Sequence, residues 1–521
     1  MAVLRASLAR PWTTLAVALA TLVASLALVR SVGTEFVPKA DYSETTVNFY
    51  TPVGSPIEVT EARARQVDAI LRELPEVRYT LATINTGQSL GRNYAAVYVR
   101  LVDRKDRTRN VDQLSAVLRE RLASVPGITV THVGLLDGVS GAKPISLSIQ
   151  GPDLKELQRL TDQLTSRMRE VPGLIDLDTS MKPSKPVVSV VVKRDAAADA
   201  GLSVGAVTGT LRTLVAGDTV GQWRAGADQT ADIRVRLHPE SREKLEDLAR
   251  LGLAAGTNPD GSTRIVRLTQ VATLSPGFGP NQINRRDLNR EVEVTANTAG
   301  RALGEVSADI RRILEAHPLP AGYAYRFGGS TKDMQESFGF ALSALALAVI
   351  FIYMILASQF RSFLQPVALM ASLPLTLIGV VGALLIWRST LNMFSIIGVI
   401  MLMGLVTKNA ILLVDFANRA REQGMARAEA LLEAARVRLR PILMTTLAMI
   451  FGMVPLAFAL TEGSEQRAPM GQAVIGGVIT SSLLTLVVVP VVYCYLDDLA
   501  LGLRRLAGWA PARQGTDNSD R

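Results

Sequence analysis

The sequence predicts an α+β membrane protein with six transmembrane helices and one large extramembrane domain between the first and the second. Three observations predict it. Six apolar runs are long enough to cross a bilayer, charge is concentrated in residues 34–337, and within that segment a strand and helix periodicity repeats twice.

At 521 residues the chain exceeds one compact domain. Positive mean hydropathy combined with 20% charged residues requires the two properties to be segregated along the chain, and they are. The net charge of +9 raises the question of nucleic acid, but the basic residues form no stripe with interleaved aromatics and cluster instead beside apolar runs. The single cysteine, Cys494, excludes an intrachain disulfide. His132, His238 and His317 are scattered without ligand spacing, and neither a HExxH nor a Walker A pattern occurs. A zinc hydrolase and an ATP-driven pump are therefore excluded, and no metal or cofactor is expected.

A hydrocarbon core needs about 20 apolar helical residues. The expected spans are 12–32, 338–358, 365–387, 394–416, 441–461 and 471–496. Arg5 and Arg10 before the first run would also suit a signal peptide, but Arg30 stands where a small-residue cleavage site belongs, so the run is expected to stay as a helix. Arg5, Arg10, Arg361, Arg419, Arg421, Arg427, Arg436, Arg438, Arg440, Arg504 and Arg505 all fall on one side if the spans alternate. That side is cytoplasmic, which puts 34–337 outside. The polar tail 498–521 is expected to be disordered.

Outside the membrane, Val47 and Phe49 alternate as in a strand, and Val67, Ile70, Leu71 and Leu74 share a helical face. Strands with Val77, Tyr79 and Leu81 and with Val97 and Val99 follow. A helix with Leu114, Val117, Leu118 and Leu122 and a strand with Ile128 and Val130 complete a βαββαβ order, a ferredoxin-like unit over 34–142. A second unit starts with Ile145, Leu147 and Ile149, a helix with Leu157, Leu160, Leu164 and Met168, and a strand at 174–177. It resumes after residue 289 with Val292 and Val294, a helix with Val306, Ile310 and Ile313, and a strand ending near Phe327. Its two parts are 143–182 and 289–332, and the insertion is 183–288.

Four stretches carry a resemblance: Gly33 to Pro38 (GTEFVP), Leu356 to Phe363 (LASQFRSF), Gly404 to Phe416 (GLVTKNAILLVDF) and Arg438 to Thr445 (RLRPILMT). Together they make the chain resemble the inner-membrane subunits of resistance-nodulation-division (RND) multidrug efflux pumps, of the hydrophobe/amphiphile branch, over residues 1–497. Such pumps look like two six-helix halves, and the motifs match the second. The resemblance implies proton-driven export of amphiphilic compounds across a bacterial inner membrane by a homotrimer. It also implies a docking role for the insertion, a periplasmic adaptor, an outer-membrane channel, and a first half carrying a buried aspartate pair where this chain has Lys408 and Asn409.

An ionisable residue deep in a span is functional by default. Lys408 lies about eight residues, or about 12 Å of rise, inside Phe416; its bland alternative is snorkelling. By resemblance it partners the aspartates of the first half, with Asn409 beside it and Arg438 and Thr445 in the same proton relay. Asp415 reads as a solvated helix-end residue. A glycine-bearing loop that contacts drugs in relatives corresponds to 83–93, which keeps Gly87 and Gly91 but has no aromatic side chain. The rival readings are a non-transporting half and a heavy-metal or lipid exporter, although Met168, Met181 and Met334 are too few to argue a metal path.

Overall fold

In the computed structural model, which describes residues 2–85, 91–135, 143–224, 226 and 229–506, the chain divides into two compact units, 181–283 and the remainder. Six helices are long and apolar enough to cross a membrane: Pro11–Val29, Gly329–Phe360, Gln365–Ile386, Met393–Glu422, Arg427–Ala457 and Ser464–Leu499, the last with its continuous helix over Ala468–Leu506. We number them spans 1 to 6. The basic stretch expected as a long loop between spans 4 and 5 is almost entirely helical, and only 423–426 turns the chain. Good helix formers such as Ala, Leu, Glu and Arg explain this, since they continue the helix beyond the apolar part. For the same reason span 2 starts at Gly329 and span 5 at Arg427, earlier than hydropathy alone suggests.

Span 6 is central and packs against spans 3, 4 and 5. Spans 3 and 6 cross where Gly379 meets Gly476, so close that a Cβ on Gly379 would lie 2.2 Å from the Gly476 carbonyl oxygen. Small residues are what permit such backbone approach in a membrane bundle. One bundle core gathers Leu413, Val414, Leu431, Val489 and Tyr493, and a second gathers Val380, Leu402, Val406 and Val474.

The first four-stranded sheet comprises β1 (Glu44–Tyr50), β2 (Val77–Ile84), β3 (Tyr94–Leu101) and β4 (Thr129–Gly134), antiparallel in the order β2-β3-β1-β4. Helices Ile57–Arg72 and Val111–Ala123 cover one face. Val47, Val67, Leu71, Val97, Val99, Leu114 and Leu118 are fully buried between them, each worth about 1.5–3 kcal/mol of transfer. Tyr79 and Leu81 depart from the expected pattern and lie exposed, at 53% and 59%. A register irregularity between Val77 and Tyr79 turns the strand over, so Thr80 and Ala82 stand opposite the buried Val99 and Val97.

The second sheet repeats the order: β5 (Ile145–Gly151), β6 (Leu174–Thr179), β7 (Asn289–Thr298) and β8 (Ala324–Gly328) pair as β6-β7-β5-β8, all antiparallel. Ile145, Leu147, Ile149, Val292 and Val294 pack against helices Leu154–Met168 and Leu303–Ala316. The unit 181–283 has its own core of Leu202, Val207, Leu253, Leu268 and Val271.

Candidate functional site

Span 4 begins at a capping box in which the Asn392 side chain accepts from the Ser395 amide at 3.0 Å. From there one stripe stays open: Ile397, Met401, Gly404 and Lys408 are exposed, while Leu402, Val406, Thr407, Asn409 and Ala410 face the bundle. The spacing is that of one continuous helix face. Lys408 points outward from this chain, and among the described residues no carboxylate lies within ion-pair distance of it. Asn409 is 4% exposed, one position round the helix and inside the bundle.

Arg438 and Thr445 lie on span 5, which packs along span 4. The Arg438 guanidinium stands 5.5 Å from the ring centroid of Phe416, a cation–π contact, and its Nε is buried without a hydrogen-bond partner. The Thr445 hydroxyl donates back to the carbonyls of Pro441 (3.2 Å) and Ile442 (3.1 Å). Thr445 thus spends its hydroxyl on its own helix, one turn after Pro441, in the usual back-bond of a helical threonine. The fold brings Asn409, Arg438 and Thr445 onto adjacent helices but draws neither Arg438 nor Thr445 to the Lys408 ammonium. Asp415 pairs with Arg419 at 2.9 Å, an exposed i,i+4 bridge.

Of the loop glycines, Gly87 lies outside the described residues. Gly91 has φ +128, and its amide donates to Asn85 Oδ1 at 2.8 Å. A side chain there would be strained by the backbone and would meet the Tyr94 ring at 2.8 Å. The turn explains this glycine. Tyr94 lies against Tyr50 with ring centroids 5.7 Å apart and planes tilted by 44°, so aromatic surface adjoins the loop even though 83–93 has none. Burial pushes the Tyr94 hydroxyl up to about 12.

Sequence reasoning set His132 aside as scattered, yet it lies in a buried polar cluster joining the two sheets. Arg119 holds the Asp176 carboxylate with two bonds, of 2.8 and 2.9 Å. Asn297 Nδ2 donates to Asp176 Oδ2 at 2.7 Å and lies 2.7 Å from His132 Nδ1, while His132 Nε2 is 2.9 Å from the Gly134 carbonyl. A carbonyl can only accept, so Nε2 carries the proton and Nδ1 accepts from Asn297. Burial pushes His132 down to about 4, against the pull of Asp176. Burial raises Asp176, but Arg119, Asn297 and the Val133 amide outweigh it and hold the carboxyl below the usual range. The pattern is a neutral histidine beside an ionised, fully ligated aspartate. Only pairing distant segments reveals it: Arg119 comes from a helix of the first unit, Asp176 and Asn297 from strands of the second.

A sequence profile of the AcrB/AcrD/AcrF family matches residues 1–497. The chain belongs to that family. Its members are RND transporters, and the six apolar helices make this chain a multi-pass membrane protein of that kind. Two solved structures, crystal forms II and I of a heavy metal efflux pump, are each 27% identical to it with a TM-score of 0.84. The likeness covers 95% of this chain and 52% and 51% of theirs, so the chain spans about half the length of those proteins. Among the described residues of this AcrB/AcrD/AcrF relative, no three His, Cys, Asp or Glu side chains converge as metal ligands. Met168 and Met334 are buried, at 0% and 7% exposure.

Proposed function

We propose that the chain is the second half of a proton-driven RND exporter in a bacterial inner membrane, expelling hydrophobic or amphiphilic compounds from the membrane and the periplasm. The observation that carries the reading is the open stripe of span 4 that ends on Lys408, midway along the helix. A lysine without a partner at that depth costs several kcal/mol in lipid, whereas against a carboxylate pair of another helix it is stabilised and holds that pair ionised. Protonating a partner carboxylate frees the ammonium, and the packing of span 4 changes with it. Asn409, Arg438 and Thr445 are assigned to the same relay. Residues 34–337 face the periplasm, with two ferredoxin-like units, supported by the repeated strand order, and a docking role for 183–288. The working assembly is a homotrimer that also needs first-half helices, a periplasmic adaptor and an outer-membrane channel.

The test is drug susceptibility in a pump-deficient host expressing this chain with and without first-half helices bearing the carboxylates. Resistance is expected only with both. Full resistance from the 521 residues alone would show that another group binds the proton, with Asp415 the first suspect. Orientation is checked separately: a cysteine at Ser262 should react with an impermeant thiol reagent in spheroplasts.

A second reading, export of a heavy metal, is favoured by the two crystal forms that the chain resembles. The buried positions of Met168 and Met334 weigh against these two as ligands. Copper and zinc salts in the same susceptibility assay separate the readings, since a metal exporter would protect against them and not against detergents.

A further inference from the structure

A cavity of about 840 Å3 lies where the ends of spans 1, 3, 5 and 6 meet the sheet-bearing part of the same compact unit. One wall is apolar and aromatic. Trp387 and Phe458 form an edge-to-face pair with centroids 6.1 Å apart, beside Leu384 and Ala457, and Phe458 is 58% exposed. The opposite character comes from four carboxylates. Three already have cations: Asp112 pairs with Lys39 at 3.7 Å, Glu305 with Arg301 at 3.3 Å, and Glu465 with Arg104. Even so, Glu465 Oε2 is buried without a hydrogen bond. Glu35 differs from the other three. It accepts from the Thr390 hydroxyl at 3.2 Å, and among the described residues no cation lies within ion-pair distance of it. Among the described residues, Arg388 is the lining cation without an ion pair, and it is exposed to solvent screening.

The main chain holds Glu35 in place. Its amide donates to the Leu391 carbonyl at 3.1 Å, the Leu391 amide to Gly33 at 2.8 Å, and the Gly304 amide to Thr34 at 2.8 Å. The segment is therefore clamped on both sides, which preorganises the carboxyl toward the cavity lining. Burial raises the affinity of that carboxyl for protons above the ordinary range, with the Thr390 hydroxyl and nearby Lys39 opposing. A carboxylate lacking a counter-charge beside an aromatic wall matches one ligand chemistry, an ammonium attached to an apolar body.

We propose that this cavity binds an organic ammonium carried on an apolar body, the cation against Glu35 and the apolar part on Trp387 and Phe458. The amine headgroup of a phospholipid and a free amphiphilic amine share this chemistry. The site stands on the cavity and not on the transport reading.

The test uses the full chain in maltoside micelles with a dansyl probe bearing a trimethylammonium group, and with its neutral 3,3-dimethylbutyl isostere. The cationic probe should bind about tenfold tighter. Glu35→Gln, nearly isosteric, should abolish that preference while leaving the isostere unchanged, with thermal unfolding confirming the fold. Phe458→Ala, at an exposed position, should weaken both probes. Equal affinities in the unaltered chain, a preference surviving Glu35→Gln, or indifference to Phe458→Ala would each overturn the proposal. Added phosphatidylethanolamine and phosphatidylglycerol then distinguish the sources. Competition by the first alone assigns the site to lipid amines, and competition by neither assigns it to free amines. Equal competition by both overturns the site, because phosphatidylglycerol carries no ammonium.

Discussion

Asp176, buried on strand β6, and Lys408, midway along span 4, are both ionisable residues away from bulk water, and the fold treats them in opposite ways. The side chain of Asp176 is 7% exposed and is answered by a bidentate arginine, an asparagine and a backbone amide, all from this chain. Lys408 faces outward and, among the described residues, no carboxylate answers it. A charge whose partners are all present is a structural joint, and removing one member leaves an uncompensated neighbour. Under the proposed function, a charge presented without a partner is half of a site. The contrast teaches that depth alone does not mark function, and that the completeness of the surrounding shell separates the two.

The largest expected effect breaks or sustains that contrast directly. In a complete transporter, Lys408→Met should reduce efflux to background at normal membrane abundance, because the partner carboxylates then stay protonated. Lys408→Arg should retain more activity. Near-normal efflux from the Met variant would return Lys408 to a snorkelling role, since Met is better tolerated in lipid.

Asp176→Ala should destabilise the extramembrane part by about 2–3 kcal/mol, as it leaves buried Asn297 and the Val133 amide without their acceptor and half-buried Arg119 without its carboxylate. Lys408→Met should cost the fold less than about 1.5 kcal/mol, its length and volume being nearly kept. Thermal or denaturant unfolding of the two variants side by side sharpens the comparison, and equal losses would dissolve it.

The same joint should respond to acid. His132 is pushed down to about 4 from an ordinary value of 6.5, so the folded state binds its proton less readily than the unfolded chain. Stability from this group is complete above 6.5 and is lost as pH falls toward 4, by on the order of 3 kcal/mol in all. Asp176, held below its ordinary value of 3.8, adds its loss only at lower pH. Unfolding midpoints between pH 7 and 4 should slope for the unaltered chain and flatten for His132→Gln.

The smallest effect concerns Gly91. An alanine at φ +128 should cost about 1–2 kcal/mol, through backbone strain and the Tyr94 contact. A large change in transport at unchanged stability would instead place Gly91 among substrate contacts.

The six spans were readable because a bilayer imposes a length and an apolar composition that few other structures share. The paired βαββαβ order was readable too, since periodicity is local: Val47, Leu71, Val97 and Leu118 each announce a buried face to near neighbours. Local pattern failed where a neighbouring strand or a turn had the last word. Tyr79 and Leu81 alternate as core residues should, but the irregular pairing with β3 turns them outward.

By itself the sequence determined the number of spans, the segregation of charge, the presence of an ionisable residue inside span 4 and the family motifs. Only the tertiary structure decided which way Lys408 points, that Thr445 bonds back to its own helix, that His132 meets Asn297 and Asp176, and that Glu35, of four cavity carboxylates, has no cation among the described residues. The physical reason is common to all four. Which face of a helix is covered, and which polar groups are satisfied, depend on side chains brought together from segments far apart in the chain, and no local periodicity encodes those meetings.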